Sequence, residues 1–157
     1  MKSWHSWHRV TGEARAVAVL LGLVCFAVYL TSLRAGPSWD TIPSRLLPFS
    51  ILREGNLDLD EFGWLRSLDP APYFLRRAPG GHWVSSYPIT TPLLGVPVAL
   101  PAVWWLQQHG IPDDDVRFRA VTIVTERITA ALIAAASAAV LFLALMRLCS
   151  MRTAFVM

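Results

Sequence analysis

The sequence predicts an all-α fold of several membrane-spanning helices, with a 55-residue external loop that carries interfacial helices. Three observations point there. Hydrophobic residues make up 54% of the 157-residue chain and charged residues only 16%, with a mean hydropathy of +0.44; a soluble domain carries about 25% charged residues. Three uncharged runs occur, at 16–33, 89–106 and 128–146, each near the roughly 20 apolar residues that a bilayer span requires. The stretch 34–88 between the first two runs is too long for a tight connection, and loops of that length usually carry function.

The remaining composition excludes several classes. The net charge is +3, but the basic residues are spread along the chain, so no nucleic-acid partner is indicated. A mildly basic chain suits a lipid bilayer with anionic head groups. The two cysteines, Cys25 and Cys149, sit in or beside apolar runs with no CxxC pattern or Cys/His cluster, and read as small packing residues. The sequence calls for no metal and no cofactor.

The elements follow in order. Residues 1–15 form a tail. Residues 16–33 are bounded by Arg15 and Arg34 and form the first span. A cleaved signal peptide would have an apolar core of about 7–15 residues and small residues before the cut; Leu33-Arg34-Ala35 is a poor cleavage site. The second span, 89–106, contains Pro92, Pro97 and Pro101 and closes on Trp104 and Trp105. Membrane helices tolerate prolines better than soluble ones, and tryptophans favour the interface. A cytoplasmic loop, 107–127, carries Asp113-Asp114-Asp115, acids that complement the dipole of a helix starting there. The third span, 128–146, repeats Ala130, Ala134, Ala138 and Ala131, Ala135, Ala139; small residues at this spacing let helices approach closely in lipid. A tail, 147–157, ends the sequence. Lysines and arginines near the span ends divide six against six, and the flanks of the first span lean toward a cytoplasmic amino terminus.

The long loop holds the candidate site residues. Residues 41–54 have Ile42, Leu46 and Phe49 at helical spacing, Pro43 in the first turn and Gly55-Asn56 as a stop. Such an amphipathic helix lies in the membrane interface. It would hold Asp40 at the water–lipid boundary, where Asp40 serves as a helix N-cap, a working carboxylate, or both. "NLDLDEFGWL" matches a calcium loop only in part, at Asp58, Asp60, Gly63 and Asp69, and reads instead as a solvated turn over Leu57, Leu59 and Phe62. Arg76 and Arg77 precede Gly80-Gly81 and suit an anionic head group or phosphate, but no nucleotide-triphosphate motif follows. A two-strand turn around Gly80-Gly81 is the plainer reading, with His82-Trp83-Val84 as a strand. His82 is a candidate acid or base, or an interfacial hydrogen-bonding residue.

"DTIPSRLLPFSILREGNLDLDEF" and "GHWVSSYPITTPLLGVP" together resemble the opening of the GT-C glycosyltransferases, bacterial members similar to protein mannosyltransferases in particular. The resemblance runs from about Tyr29 to Leu106. It implies an integral protein of the bacterial cytoplasmic membrane that transfers a sugar from a polyprenyl-phosphate donor at the outer face. The family's acid after the first helix corresponds to Asp40, as a base or an orienting group at the acceptor. Protein mannosyltransferases often carry an Asp-Glu pair there, whereas Thr41 follows Asp40. Positive charge on the departing phosphate would come from Arg45, Arg53, Arg76 or Arg77, and His82 is a further candidate for binding that phosphate. Family members have more spans, so the resemblance implies an amino-terminal fragment. The rival expectation is a small non-catalytic membrane protein that packs its alanine faces against other membrane helices.

Overall fold

The computed structural model describes residues 11–31, 38–149 and 153–154. The outer parts of both tails, the last two residues of the expected first span and the start of the loop lie outside them. The described chain is mostly helical and divides into two compact units.

The first unit holds helix α1 (Gly12–Thr31) and the part of helix α4 (Val116–Leu145) from residue 130 onward. Thr11 caps α1 by accepting the Ala14 N–H at 3.2 Å, and Glu13 sits in its first turn, where the helix dipole favours an acid. Buried Ala18 packs with Phe142 and Ala154. A side chain on Gly22 would reach the Ala135 carbonyl at 3.5 Å and Ala139 Cβ at 3.6 Å. The face that carries Ala135 and Ala139 is therefore used within the chain, against α1. α1 and α4 are long and apolar enough to cross a membrane, with mean hydropathies of 2.1 and 2.5 over their most apolar windows. Val19, Leu20, Leu23, Val24 and Val28 on α1 are exposed.

The second unit runs from 34 to 129. A short 3-10 turn (Trp39–Thr41) leads into helix α2 (Ile42–Arg53), close to the expected 41–54. Its buried residues are Ile42, Pro43 and the run Leu46–Ser50. Gly55, at φ +70°, reverses the chain at its end. A second 3-10 turn (Gly63–Leu65) follows. Strands β1 (Leu75–Arg77) and β2 (Trp83–Ser85) then pair antiparallel around Gly80-Gly81. These strands are the one departure from an all-α fold among the described residues.

Helix α3 (Thr90–Gln108) covers the expected second span, but it is not one of the two helices apolar enough for that purpose. Its prolines, paired tryptophans and terminal glutamines dilute the apolar run. It packs on α2, and its buried residues are Pro92, Gly95, Ala99, Val103 and Leu106. A side chain on Gly95 would approach Pro48 Cγ to 3.2 Å. α4 begins at Val116, so residues 116–127 are helical and the expected loop 107–127 is short. Asp115 starts the helix by accepting the Arg117 N–H at 2.7 Å.

The core of this unit is aromatic. Phe118 meets Phe49 edge-on at 5.4 Å between centroids and Phe62 at 5.9 Å, and all three are fully buried. Leu57 does not join Leu59 and Phe62 in this core, because it is 46% exposed. Replacing Phe118 by alanine should cost about 3–5 kcal/mol, and by leucine less than about 1.5 kcal/mol. Denaturation of the detergent-purified protein measures both. Equal small losses would place Phe118 outside the core.

Candidate functional site

Asp40 lies in the 3-10 turn ahead of α2, and it does not cap that helix. Ser38 caps the turn by accepting the Asp40 N–H at 3.3 Å, while Thr41 occupies the N-cap position of α2 without a side-chain bond. The expected cap is thus replaced by a different arrangement. The Tyr87 hydroxyl donates to Asp40 Oδ1 at 2.6 Å, and the Tyr73 hydroxyl donates to the same oxygen. Among the described residues, none donates to Oδ2.

The hairpin explains the convergence. Tyr73 stands two residues before β1 and Tyr87 two residues after β2, so antiparallel pairing brings both to one end of the ribbon. Their rings meet edge-on at 6.5 Å, and Tyr87 stacks on buried Phe74 at 6.3 Å. The two hydroxyls hold the Asp40 carboxyl below the usual aspartate range, Tyr73 first and Tyr87 second. Asp40 in turn pushes the Tyr87 phenol up. The result is an exposed, fixed carboxylate with one oxygen free.

Two cavities adjoin this turn, and Trp39 lines both. One, of about 300 Å³, is formed with Pro70, Ala71, Pro72 and Tyr73. The other, of about 270 Å³, is formed with Ser38, Ile42, Arg45, Trp64 and Leu68. Arg45 Nε and Trp64 Nε1 are both buried without a hydrogen-bond acceptor. Burial lowers the Arg45 pKa, Glu126 pulls it back up, and Arg119 lowers it further. Arg119 itself lies over the Trp64 ring at 4.8 Å.

The other expected residues divide differently. Arg53 is engaged by Asp113 and lies over the Phe118 ring at 5.9 Å, which makes it part of the scaffold. Arg76 and Arg77 are exposed on β1, with contacts to the Leu75 carbonyl at 3.4 Å and the Gly81 carbonyl at 3.3 Å. His82 joins none of these arginines. Its Nδ1 lies 2.8 Å from Asp60 Oδ2 and 3.6 Å from Asp58 Oδ2. The hydrogen bond with Asp60 raises the His82 pKa. The Trp83 N–H is the main cause that lowers that of Asp60.

Tyr73, Tyr87, Trp39 and Trp64 went unread in the sequence. No spacing signal marks the tyrosines, which lie 33 and 47 residues from Asp40. The pairing of Asp58 and Asp60 had a signal, since residues two apart in an extended segment share a face. Compared with protein-family models, curated proteins and solved structures, the chain shows no match.

The Asp40 geometry fixes a pH response. A depressed carboxyl pKa contributes stability that is fully present above the unfolded value and is lost as pH falls through the folded value. Carboxyl ¹³C titration by NMR should place Asp40 below an ordinary aspartate. Tyr73→Phe and Tyr87→Phe should each raise its pKa, and the double variant should return it to the ordinary range. A pKa unmoved in the double variant would show that the hydroxyls do not hold the carboxylate.

Proposed function

We propose that this chain belongs to a multi-span membrane glycosyltransferase of the GT-C type, with a cytoplasmic amino terminus and its site at the outer face of the bacterial cytoplasmic membrane. It transfers a sugar from a polyprenyl-phosphate donor to an acceptor hydroxyl. The observation that carries this reading is the Asp40 carboxylate, exposed and gripped through one oxygen by two tyrosines beside two cavities. A carboxylate held this way suits a positioned polar step.

In the transfer, the acceptor oxygen bonds to the anomeric carbon, and the bond from that carbon to the phosphate oxygen breaks. The phosphate leaves with the electron pair, and the acceptor proton must pass to a base. The lowered pKa of Asp40 makes it a weak proton acceptor and a persistent negative charge. It therefore orients the acceptor hydroxyl through Oδ2, and the proton passes on to the released phosphate. Charge on that phosphate needs a fixed donor. Of the four candidate arginines, Arg45 is the one with a buried donor lacking an acceptor, and it lines a cavity.

The rival reading, a non-catalytic protein packing against a membrane partner, rested on the alanine faces of α4. At Ala135 and Ala139 one of those faces already meets α1, so that face offers less to a partner.

Membranes expressing the protein, supplied with radiolabelled polyprenyl-phosphate sugars, test the proposal. Asp40→Asn should lower transfer by about 10²-fold at unchanged expression, the cost of losing the acceptor's orientation. Arg45→Ala should weaken use of the donor, and Arg76→Ala should leave it nearly unchanged. Normal turnover in Asp40→Asn would remove Asp40 from the mechanism. Absence of transfer together with a co-purifying membrane partner would favour the rival.

A further inference from the structure

We propose that Asp58, Asp60 and His82 form a binding site for a divalent first-row transition-metal ion of the zinc class. The site uses none of the residues around Asp40. It begins in the sequence Asp58-Leu59-Asp60, which runs alongside β2: Asp58 bridges to Val84, and the Leu59 N–H donates to the Trp83 carbonyl at 2.7 Å. In an extended segment, alternate side chains take opposite sides. Leu59 is accordingly buried in the core, 1% exposed, while both carboxylates emerge on the other side, where His82 enters β2.

The backbone then aims the ligands. Asp58 Oδ1 accepts the Asp60 N–H at 3.2 Å, and Asp60 Oδ1 accepts the Trp83 N–H at 2.8 Å. Each carboxylate spends one oxygen on the backbone and presents the other, Oδ2, to His82 Nδ1, at 3.6 and 2.8 Å. Ligand atoms about 2.0–2.2 Å from one ion stand roughly 3–3.6 Å apart, and the three donor atoms here lie within 4.8 Å of one another. Outer hydrogen bonds that fix the free oxygen are what metal-ligating carboxylates carry. The imidazole selects zinc-class ions over calcium or magnesium, which favour all-oxygen sites. Three protein donors leave positions open for water or an anionic oxygen.

The charge around the cluster points the same way. Glu61, next in the sequence to Asp60, has Oε1 buried without a hydrogen-bond partner. Against the three carboxylates of Asp58, Asp60 and Glu61 stand His82 and Arg66, the latter 4.0 Å from Asp60. A dication would offset this excess. On binding, the ion replaces the proton shared between His82 Nδ1 and Asp60, and that proton passes to solvent.

The test titrates the full chain in detergent micelles with Zn²⁺ and follows the His82 imidazole resonances by NMR. One equivalent should shift them. His82→Ala, Asp58→Asn and Asp60→Asn should each weaken zinc uptake, measured by chelator competition, by about tenfold or more. Joint replacement His5→Gln and His8→Gln should leave the His82 shift in place. His82 resonances unmoved by zinc, or uptake unchanged in Asp60→Asn, would overturn the site. An equal response to Ca²⁺ would overturn the assignment to the zinc class. Because the wild-type resonances report directly, a variant that fails to fold does not decide the outcome.

Discussion

The second unit depends on one buried hydroxyl. Ser50, fully enclosed near the end of α2, donates its hydroxyl proton between two acceptors, the Asp58 carbonyl at 2.7 Å and Asn56 Oδ1 at 2.8 Å. A buried polar group without a partner costs about 1–3 kcal/mol, so the helix end and the returning chain are tied together. Gly55 provides the left-handed turn that lets the chain come back. The returned segment bridges β2, and the hairpin ends deliver Tyr73 and Tyr87 to Asp40, just ahead of the same helix. The hairpin is thereby linked to α2 at both ends, through Ser50 at one and Asp40 at the other.

This closed circuit explains how a loop of this length holds an exposed carboxylate in place. Phe74 and Leu75 are buried, so the hairpin is anchored from below. Tyr73 and Tyr87 have apolar rings that pack and hydroxyls that reach out. Two donors on one oxygen leave the other free while suppressing protonation of the pair. That combination trades basicity for permanence of charge, which under the proposed transfer would suit Asp40 to orienting an acceptor rather than taking its proton.

Local features were legible in the sequence and convergent ones were not. The spacing of Ile42, Leu46 and Phe49 with the Gly55 stop gave α2 to within a residue of Ile42–Arg53, and Gly80-Gly81 gave the hairpin. These are decided by neighbours within a few positions. Asp40 looked like a cap because its local context is that of one; Ser38 takes the capping bond and frees it. Its true partners come from the far side of a loop, and nothing in spacing could announce them. Arg53 looked equivalent to Arg45 until Asp113, 60 residues on, engaged it. α4 extended past its uncharged run because charged residues at 116–127 are compatible with helix, and the apolar count alone cannot see them.

The arginines show how burial separates residues of the same type. The Arg76 and Arg77 side chains lie exposed on β1, where a phosphate would gain little from displacing hydration. Arg53 has its carboxylate. Arg45 has given up part of its hydration without a full partner, and Trp64, lining the same cavity, also holds back a donor. Unpaired buried donors are expensive, and a low-polarity wall strengthens whatever charge does approach. An anionic oxygen entering between Trp39, Arg45 and Trp64 would meet apolar surface and a guanidinium together. Under the proposed function, that pairing would suit a phosphate carried on a lipid, next to the turn that carries Asp40.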